Sequence, residues 1–158
     1  MIGIVLLAAG AGRRMGHKDN KLFLPLGPKS VFQWSLSHIL EVKDLGQVVI
    51  VHAEGEKERI QDQVKDLLAT LPNVLRKVPI SYIQGGAERQ DSVANGVAAL
   101  GSAIDLVLIH DGARPMAQAE LFMKTAYEAA LHGAAVVAVK TTDTVKRVDE
   151  EGLGLETL

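Results

Sequence analysis

The stretch Ile2-Gly3-Ile4-Val5-Leu6-Leu7, followed at once by the small-residue turn Ala8-Ala9-Gly10-Ala11-Gly12, decides the fold. A short, nearly continuous apolar run of this kind is typical of a strand that is covered on both faces. Similar runs recur later in the chain, at 48–51, 80–83, 106–109 and 134–139. Amphipathic helical patterns separate these runs. The alternation predicts an α/β fold with a mostly parallel sheet and helices on both faces.

The predicted helices carry start and stop signals. Ser30 and Gln33 have the spacing of a capping box, which predicts that the first helix begins there. Pro72 ends the second helical pattern. Gly133 follows a helix predicted from about residue 120 to residue 132, at the position that glycine favours. The last residues, 141–158, predict extended β structure and turns.

The composition excludes several classes of protein. A length of 158 residues predicts one domain, and a formal net charge of −2 with 4% aromatic residues argues against a nucleic-acid binder. The absence of cysteine excludes disulfides, thiolate catalysis and cysteine metal sites. No apolar run approaches the roughly 20 residues that span a bilayer. We therefore expect a cytoplasmic protein with neither a nucleic-acid nor a membrane partner.

Four polar segments follow the predicted strands directly, at 8–21, 85–92, 111–115 and 141–147. In a parallel sheet the carboxyl ends of the strands share one edge, and ligands bind there. These segments are therefore predicted to converge on one site. His110, which precedes the third segment, has no second histidine at metal-ligand spacing, and we expect it to be a buried structural residue.

The first loop favours a polyphosphate ligand. Gly10, Gly12 and Gly16 are spaced one residue too widely for a dinucleotide fingerprint, and no acidic residue ends the second strand. Glycine-rich backbone at a strand end can approach phosphates closely, and cations beside it favour that interpretation over a solvated charge run. Four cations lie within nine residues here: Arg13, Arg14, Lys18 and Lys21.

Two later segments leave alternatives open. The glycine pair 85–86 permits a tight turn or the close approach of a flat ligand. Arg89 or Ser92 contacts that ligand, or Asp91 or Ser92 merely caps a helix. Asp111 binds Mg²⁺ together with substrate phosphates, or it pairs with Arg114 and braces the loop.

Four segments in this order carry a resemblance. They are Leu7-Ala8-Ala9-Gly10-x-Gly12-x-Arg14-Met15-Gly16 with Lys21-x-Phe23-Leu24; Gly85-Gly86-x-x-Arg89-Gln90-Asp91-Ser92-Val93; His110-Asp111-x-Ala113-Arg114-Pro115; and Asp143-Thr144-Val145-Lys146-Arg147. Together they resemble sugar-phosphate nucleotidyltransferases and, more narrowly, the methylerythritol-phosphate cytidylyltransferase family, over nearly the whole chain. The resemblance implies a Rossmann-like fold of the nucleotide-diphospho-sugar transferase type. It also implies that CTP and 2-C-methyl-D-erythritol 4-phosphate are joined with release of pyrophosphate, in non-mevalonate isoprenoid biosynthesis.

The resemblance also assigns roles to residues and a divalent cation, Mg²⁺. Arg14 and Lys21 are implied as the transition-state stabilisers, and Thr144 as a contact of the methylerythritol phosphate. Asp111 is the implied metal ligand. The implied substrate-binding residues besides Thr144 are Ala8, Ala9, Gly10, Ala11, Gly12, Gly85, Gly86, Arg89, Ser92, Asp111, Gly112 and Arg114.

The sequence departs from the family at its end. Relatives continue beyond the segment 143–147 with an arm toward a partner subunit, a further helix and a late lysine, whereas this chain stops at Leu158. We expect residues 1–140 to form a nucleotide-binding α/β domain and 141–158 to begin a truncated β-arm. The family's homodimer is built mainly through that arm. A chain without the rest of the arm is expected to bind CTP and to turn over poorly.

Three alternatives stay open from the sequence. The first is a ribitol-phosphate cytidylyltransferase, which uses a different polyol phosphate. The second is a nucleotide-binding module with little activity, which we would expect if the chain is truncated at Leu158. A nicotinamide-dependent oxidoreductase would use a similar sheet, but the glycine spacing and the absent ribose acid weigh against it.

Overall fold

The structure is a computed structural model that describes residues 1–10 and 20–157. Its strands, in chain order, are β1 (Ile2–Ala8), β2 (Pro25–Leu26), β3 (Lys29–Ser30), β4 (Leu45–His52), β5 (Ile80–Gln84), β6 (Leu106–Asp111), β7 (Lys146–Val148) and β8 (Gly154–Thr157). Four of them form a parallel sheet in the order β5-β4-β1-β6. The two other pairs, β2 with β3 and β7 with β8, are antiparallel.

Helices cover both faces of the sheet, as predicted. Their bounds are α1 (Val31–Leu40), α2 (Lys57–Thr70), α3 (Arg89–Ala98) and α4 (Ala119–His132). The larger apolar core joins α1, α2 and α4 to one face of the sheet, whereas the other face carries a smaller core at the end of α3. The side chains of Ile4, Val5 and Leu6 in β1 are fully buried, which agrees with the continuous apolar run of this strand.

The helix boundaries follow the sequence signals. The backbone N–H of Gln33 donates to Ser30 Oγ at 3.2 Å, and the N–H of Ser30 donates to Gln33 Oε1 at 3.0 Å, so the predicted capping box is confirmed. Helix α2 ends two residues before Pro72. Gly133 has a φ of 85°, a left-handed conformation that suits a glycine at the end of α4.

The prediction of a fifth strand at 134–139 is wrong. This segment follows α4 without forming a strand, and Val136 and Val139 are 88% and 91% exposed. A β-strand requires a hydrogen-bonded neighbour, and among the described residues β6 is paired only with β1. The segment has the apolar composition of a buried strand, but composition alone does not provide a neighbouring strand to pair with.

The chain connections create a crevice between β1 and β6. The chain runs from β1 to β4 and β5 on one side, and then returns through α3 to β6 on the other side of β1. Such a reversal leaves an opening at the carboxyl ends of the two central strands. In the part of the chain that the structure describes, no helix is long and apolar enough to cross a membrane.

Candidate active site

The turns after β1 and β5 lie close together where β4 and β5 end, and the surface formed by Ala9, Gly85, Gly86 and Ser92 is called the slot. The N–H of Gly85 donates to the carbonyl oxygen of His52 at 2.9 Å, which fixes the turn after β5 against the end of β4. A Cβ atom on Gly85 would lie 2.7 Å from the Cβ of Ala9 and 2.8 Å from Ser92 Oγ. The backbone of Gly85 therefore lies against the turn after β1, at a distance that a side chain would not permit.

Ser92 organises the same slot from α3. Its side chain is buried, and its Oγ accepts a hydrogen bond from the N–H of Gly86 at 3.1 Å. Asp91 accepts from the N–H of Glu88 at 3.0 Å, so Ser92 lies inside the helix and the alternative in which it is merely the cap does not hold. The Ser92 hydroxyl still has a proton that it can donate to a ligand.

Asp111 forms the centre of a charged cluster at the end of β6. Its Oδ1 accepts from an Nη of Arg89 at 3.0 Å, and its Oδ2 accepts from Nε of Arg114 at 3.1 Å. Burial raises the pKa of Asp111, but the hydrogen bonds and charges of the two arginines outweigh it, so the pKa lies below its usual value. The carboxylate is therefore ionised at neutral pH. It holds two largely exposed guanidinium groups at the crevice.

Of the two alternatives for Asp111, the structure shows the pair with Arg114. The same carboxylate also fits a divalent cation. Mg²⁺ in nucleotide enzymes takes one or two carboxylates, and substrate phosphates and water complete its shell. Among the residues that the structure describes, no three His, Asp or Glu side chains gather into a metal site. Asp111 can therefore supply one carboxylate ligand, and the rest of the shell would have to come from elsewhere.

Gly112 has its backbone groups engaged inside the protein. Its N–H donates to the carbonyl oxygen of Leu7 at 2.8 Å, and its carbonyl oxygen accepts from Ser35 Oγ at 2.8 Å. These bonds tie the loop after β6 to β1 and α1. The neighbouring His110 is buried, packs edge-on against Phe122 with ring centroids 4.8 Å apart, and has the structural role that the sequence predicted.

Lys21 is the first residue of one turn of 3-10 helix, Lys21–Phe23. Its side chain is exposed, whereas those of its neighbours Asn20 and Leu22 are buried. The side chain of Asn20 accepts from the N–H of Leu22 at 3.1 Å, and its amide nitrogen donates to both oxygens of Glu56, at 3.1 and 2.9 Å. Lys21 is thus an exposed cation on a short anchored turn.

The structure brings two groups of the predicted residues together. Ala9, Gly85, Gly86 and Ser92 are brought together in the slot, and Arg89, Asp111 and Arg114 in the charged cluster. Ala8 is buried as the last residue of β1, and Gly10 follows it exposed. Thr144 lies in an exposed segment before β7, and within residues 20–157 no hydrogen bond joins it to the crevice. Arg14, Ala11 and Gly12 lie outside the described residues.

Two residues that the sequence analysis did not select belong to this site. Asn20 has a recognisable signal, because asparagine is a favoured cap and this one directly precedes a candidate catalytic lysine. Glu56 has none, since it is 36 residues away and reaches Asn20 only through the packing of α2.

The comparisons with known proteins agree with this geometry. The family model of 2-C-methyl-D-erythritol 4-phosphate cytidylyltransferase matches residues 2–158. A curated protein of that name from Parasynechococcus marenigrum (strain WH8102) is 41% identical over 98% of this chain and 64% of its own length. One from Alkaliphilus metalliredigens (strain QYMF) is 36% identical over 99% of this chain and 62% of its own.

A solved structure is similar over the same range. The crystal structure of 4-diphosphocytidyl-2C-methyl-D-erythritol synthase from Anaerococcus prevotii DSM 20548 matches with a TM-score of 0.77 and 31% identity, over 99% of this chain and 64% of that one. The chain therefore spans just under two thirds of the length of these relatives. With its parallel sheet, crevice and matched sequence, the chain belongs to the 2-C-methyl-D-erythritol 4-phosphate cytidylyltransferase family.

Proposed function

We propose that this chain carries the nucleotide-binding and catalytic part of a cytidylyltransferase that joins CTP to 2-C-methyl-D-erythritol 4-phosphate. The products are the CDP-linked polyol and pyrophosphate. The observation that carries the proposal is the position of Asp111 with its two arginines at the carboxyl end of β6, beside the slot formed by Ala9, Gly85 and Ser92. A flat base is proposed to lie against the slot, with its ribose and phosphates beside the charged cluster.

The reaction needs little proton transfer. A phosphate monoester is largely ionised at neutral pH, so its oxygen attacks the α-phosphorus of CTP directly. The new P–O bond forms while the bond between the α-phosphorus and the bridging oxygen breaks, and pyrophosphate leaves with the electron pair. The main barrier is the approach of one anion to another. Positioning and cationic stabilisation therefore supply most of the catalysis.

Lys21 and Arg14 are proposed to supply that stabilisation, one from the anchored turn and one from the glycine-rich loop. Ala8 to Gly12, Gly85, Gly86 and Ser92 are proposed to hold the cytidine, and Arg89, Gly112 and Arg114 to form the wall beside the ribose. A bound Mg²⁺, with Asp111 as its protein ligand, would neutralise part of the triphosphate charge.

The segment that follows α4 is proposed to serve the second substrate. Thr144 would contact the methylerythritol phosphate. The hairpin of β7 and β8 is exposed along its length, and this supports its assignment to a β-arm (141–158) that is separate from the nucleotide-binding domain (1–140). The family's dimer contact through that arm is part of the same proposal.

The test is a release assay for pyrophosphate. The protein is mixed with Mg²⁺, each of the four ribonucleoside triphosphates, and either methylerythritol phosphate or ribitol phosphate. We expect release with CTP and methylerythritol phosphate. Lys21→Ala is expected to lower turnover by at least about a hundredfold, the scale of losing one charge-stabilising donor. Lys65→Ala, an exposed lysine on α2, is the matched control and should leave turnover unchanged.

Three outcomes would contradict the proposal. Release with ribitol phosphate alone would move the chain to the ribitol branch. Tight binding of CTP without release under any condition would make it a nucleotide-binding module. Equal turnover in the Lys21→Ala and Lys65→Ala variants would remove Lys21 from the mechanism.

A further inference from the structure

We propose that Asn20, held by Glu56, is a positioning residue for Lys21. The inference rests on the proposed function, because it explains how the catalytic lysine is oriented. Asn20 lies directly before Lys21, and its side chain is 7% exposed. The amide of Asn20 links the two residues that flank the lysine, because its oxygen accepts from the N–H of Leu22, and it ties them to Glu56, to which its nitrogen donates.

The turn has further anchors in the protein interior. The Leu22 side chain enters the larger core with 3% exposure. The N–H of Phe23 donates to the carbonyl oxygen of Asn20 at 3.0 Å, and the guanidinium carbon of Arg59 lies 3.8 Å from the centre of the Phe23 ring. The base of the Lys21 side chain is therefore fixed from both directions, while its ammonium group remains exposed.

The anchor is attached to a distant and regular element. Glu56 is the residue before α2, so its carboxylate holds the turn against the beginning of a 14-residue helix. A loop that carries a catalytic cation gains precision when a rigid element supports it. Displacement of a catalytic group by about 1 Å costs on the order of a hundredfold in rate, so loss of this tether should act mainly on the chemical step.

The two side chains are one amide and one carboxylate, and this permits an exchange test. Asn20→Asp keeps an oxygen for the N–H of Leu22, but it removes both N–H donors and places two carboxylates in contact. Glu56→Gln removes the charge. The double variant Asn20→Asp/Glu56→Gln restores an amide-to-carboxylate hydrogen bond with the roles reversed. Asn73→Asp is the matched control, because Asn73 is exposed in the turn that follows α2, at the opposite end of that helix from Glu56.

The expected results separate positioning from folding. Asn20→Asp should lower kcat for pyrophosphate release about 10- to 100-fold. The double variant should recover kcat to within about threefold of wild type, and Asn73→Asp should match wild type. Equal kcat in Asn20→Asp and wild type would overturn the proposal, as would a double variant no better than Asn20→Asp. Melting curves identify any variant that has lost its fold, and Glu56→Gln alone gives a second, milder perturbation.

A second measurement keeps the result independent of turnover. The Kd of CTP is measured for Asn20→Asp in the wild-type background and in the Lys21→Ala background. If Asn20 acts through Lys21, the substitution weakens binding in the first background and has no effect in the second. Equal effects in both backgrounds would overturn the proposal. If the wild-type chain releases no pyrophosphate, the proposed function has failed, and this binding cycle still decides whether Asn20 positions the lysine.

Discussion

Gly85 is a residue at which the backbone lies too close to its neighbours to accept a side chain. A Cβ there would meet Ala9 Cβ at 2.7 Å and Ser92 Oγ at 2.8 Å, and both distances are shorter than atoms allow. Gly85→Ala must therefore displace the turn after β1 or the start of α3. We expect CTP affinity, measured by titration calorimetry, to fall at least about tenfold, since overpacking costs about 1–3 kcal/mol. Gly154→Ala, where nothing lies within 4 Å, should bind CTP as the wild type does. An unchanged Kd in Gly85→Ala would exclude this slot.

His110 predicts how stability depends on pH. Burial lowers its pKa below the usual value, although the Arg114 carbonyl oxygen and the Asp111 charge raise it and the Arg114 charge lowers it further. As the pH falls below about 6.5, the unfolded chain therefore takes up a proton before the folded one does. We expect His110 to cost no free energy of unfolding above that pH. Below it, the loss is at most about 1.4 kcal/mol per pH unit.

Urea unfolding on both sides of about pH 6.5 checks this prediction. His110→Asn, which cannot titrate, should have a weaker dependence on pH in that range. His132→Asn removes an exposed histidine at the end of α4 and should keep the wild-type dependence. An identical pH dependence in wild type and His110→Asn would contradict the assignment.

In the charged cluster, one contact of Asp111 could be predicted from the sequence and the other could not. Asp111 and Arg114 are three positions apart, and the sequence analysis could weigh their pairing. Arg89 reaches the same carboxylate from α3, 22 residues earlier in the chain. This contact depends on where the first turn of α3 lies beside β6, and sequence spacing contains no information on that distance. The tether from Asn20 to Glu56 was missed for the same reason.

The first helix carries a testable prediction about its cap. Ser30 Oγ accepts from the N–H of Gln33 and also donates to Gln63 Oε1 at 2.6 Å, so it links the start of α1 to α2. Ser30→Ala should lower the free energy of unfolding by about 1–2 kcal/mol, measured by chemical denaturation. Ser37→Ala is the comparison, because that buried hydroxyl donates only to the Trp34 carbonyl oxygen within the same helix. Equal losses in the two variants would contradict a special role for the cap.

The elements that the sequence predicted correctly are those with a local signal. The capping box of α1, the proline after α2 and the glycine after α4 act within a few residues, and the strands β1, β4, β5 and β6 are apolar runs that the core buries. The segment 134–139 is also an apolar run, but it does not form a strand. Strand formation is a property of two neighbouring segments, and in the part of the chain that the structure describes no segment pairs with 134–139.

At the scale of the whole molecule, β6 is an edge strand, and no other described segment pairs with its outer side. Val107 and Ile109 of β6 are 38% and 39% exposed. They line one groove together with residues 133–137 and with apolar side chains of α4. An unpaired strand edge between apolar surfaces is a template for pairing with another chain. The residues 105–111 contain no lysine or proline that would oppose such pairing.

We therefore expect these 158 residues on their own to self-associate as the concentration rises, with sedimentation velocity as the measurement. Val136→Lys/Val139→Lys places two charges in the exposed apolar segment and should shift the distribution toward monomer. Val74→Lys is the control, because this valine is 70% exposed at a turn distant in sequence from the groove and should not change association. The groove would be excluded as the associating surface if the double variant and the control sedimented alike. A wild-type chain that stays monomeric at every concentration would show that an unpaired edge of this length is too short to recruit a neighbour.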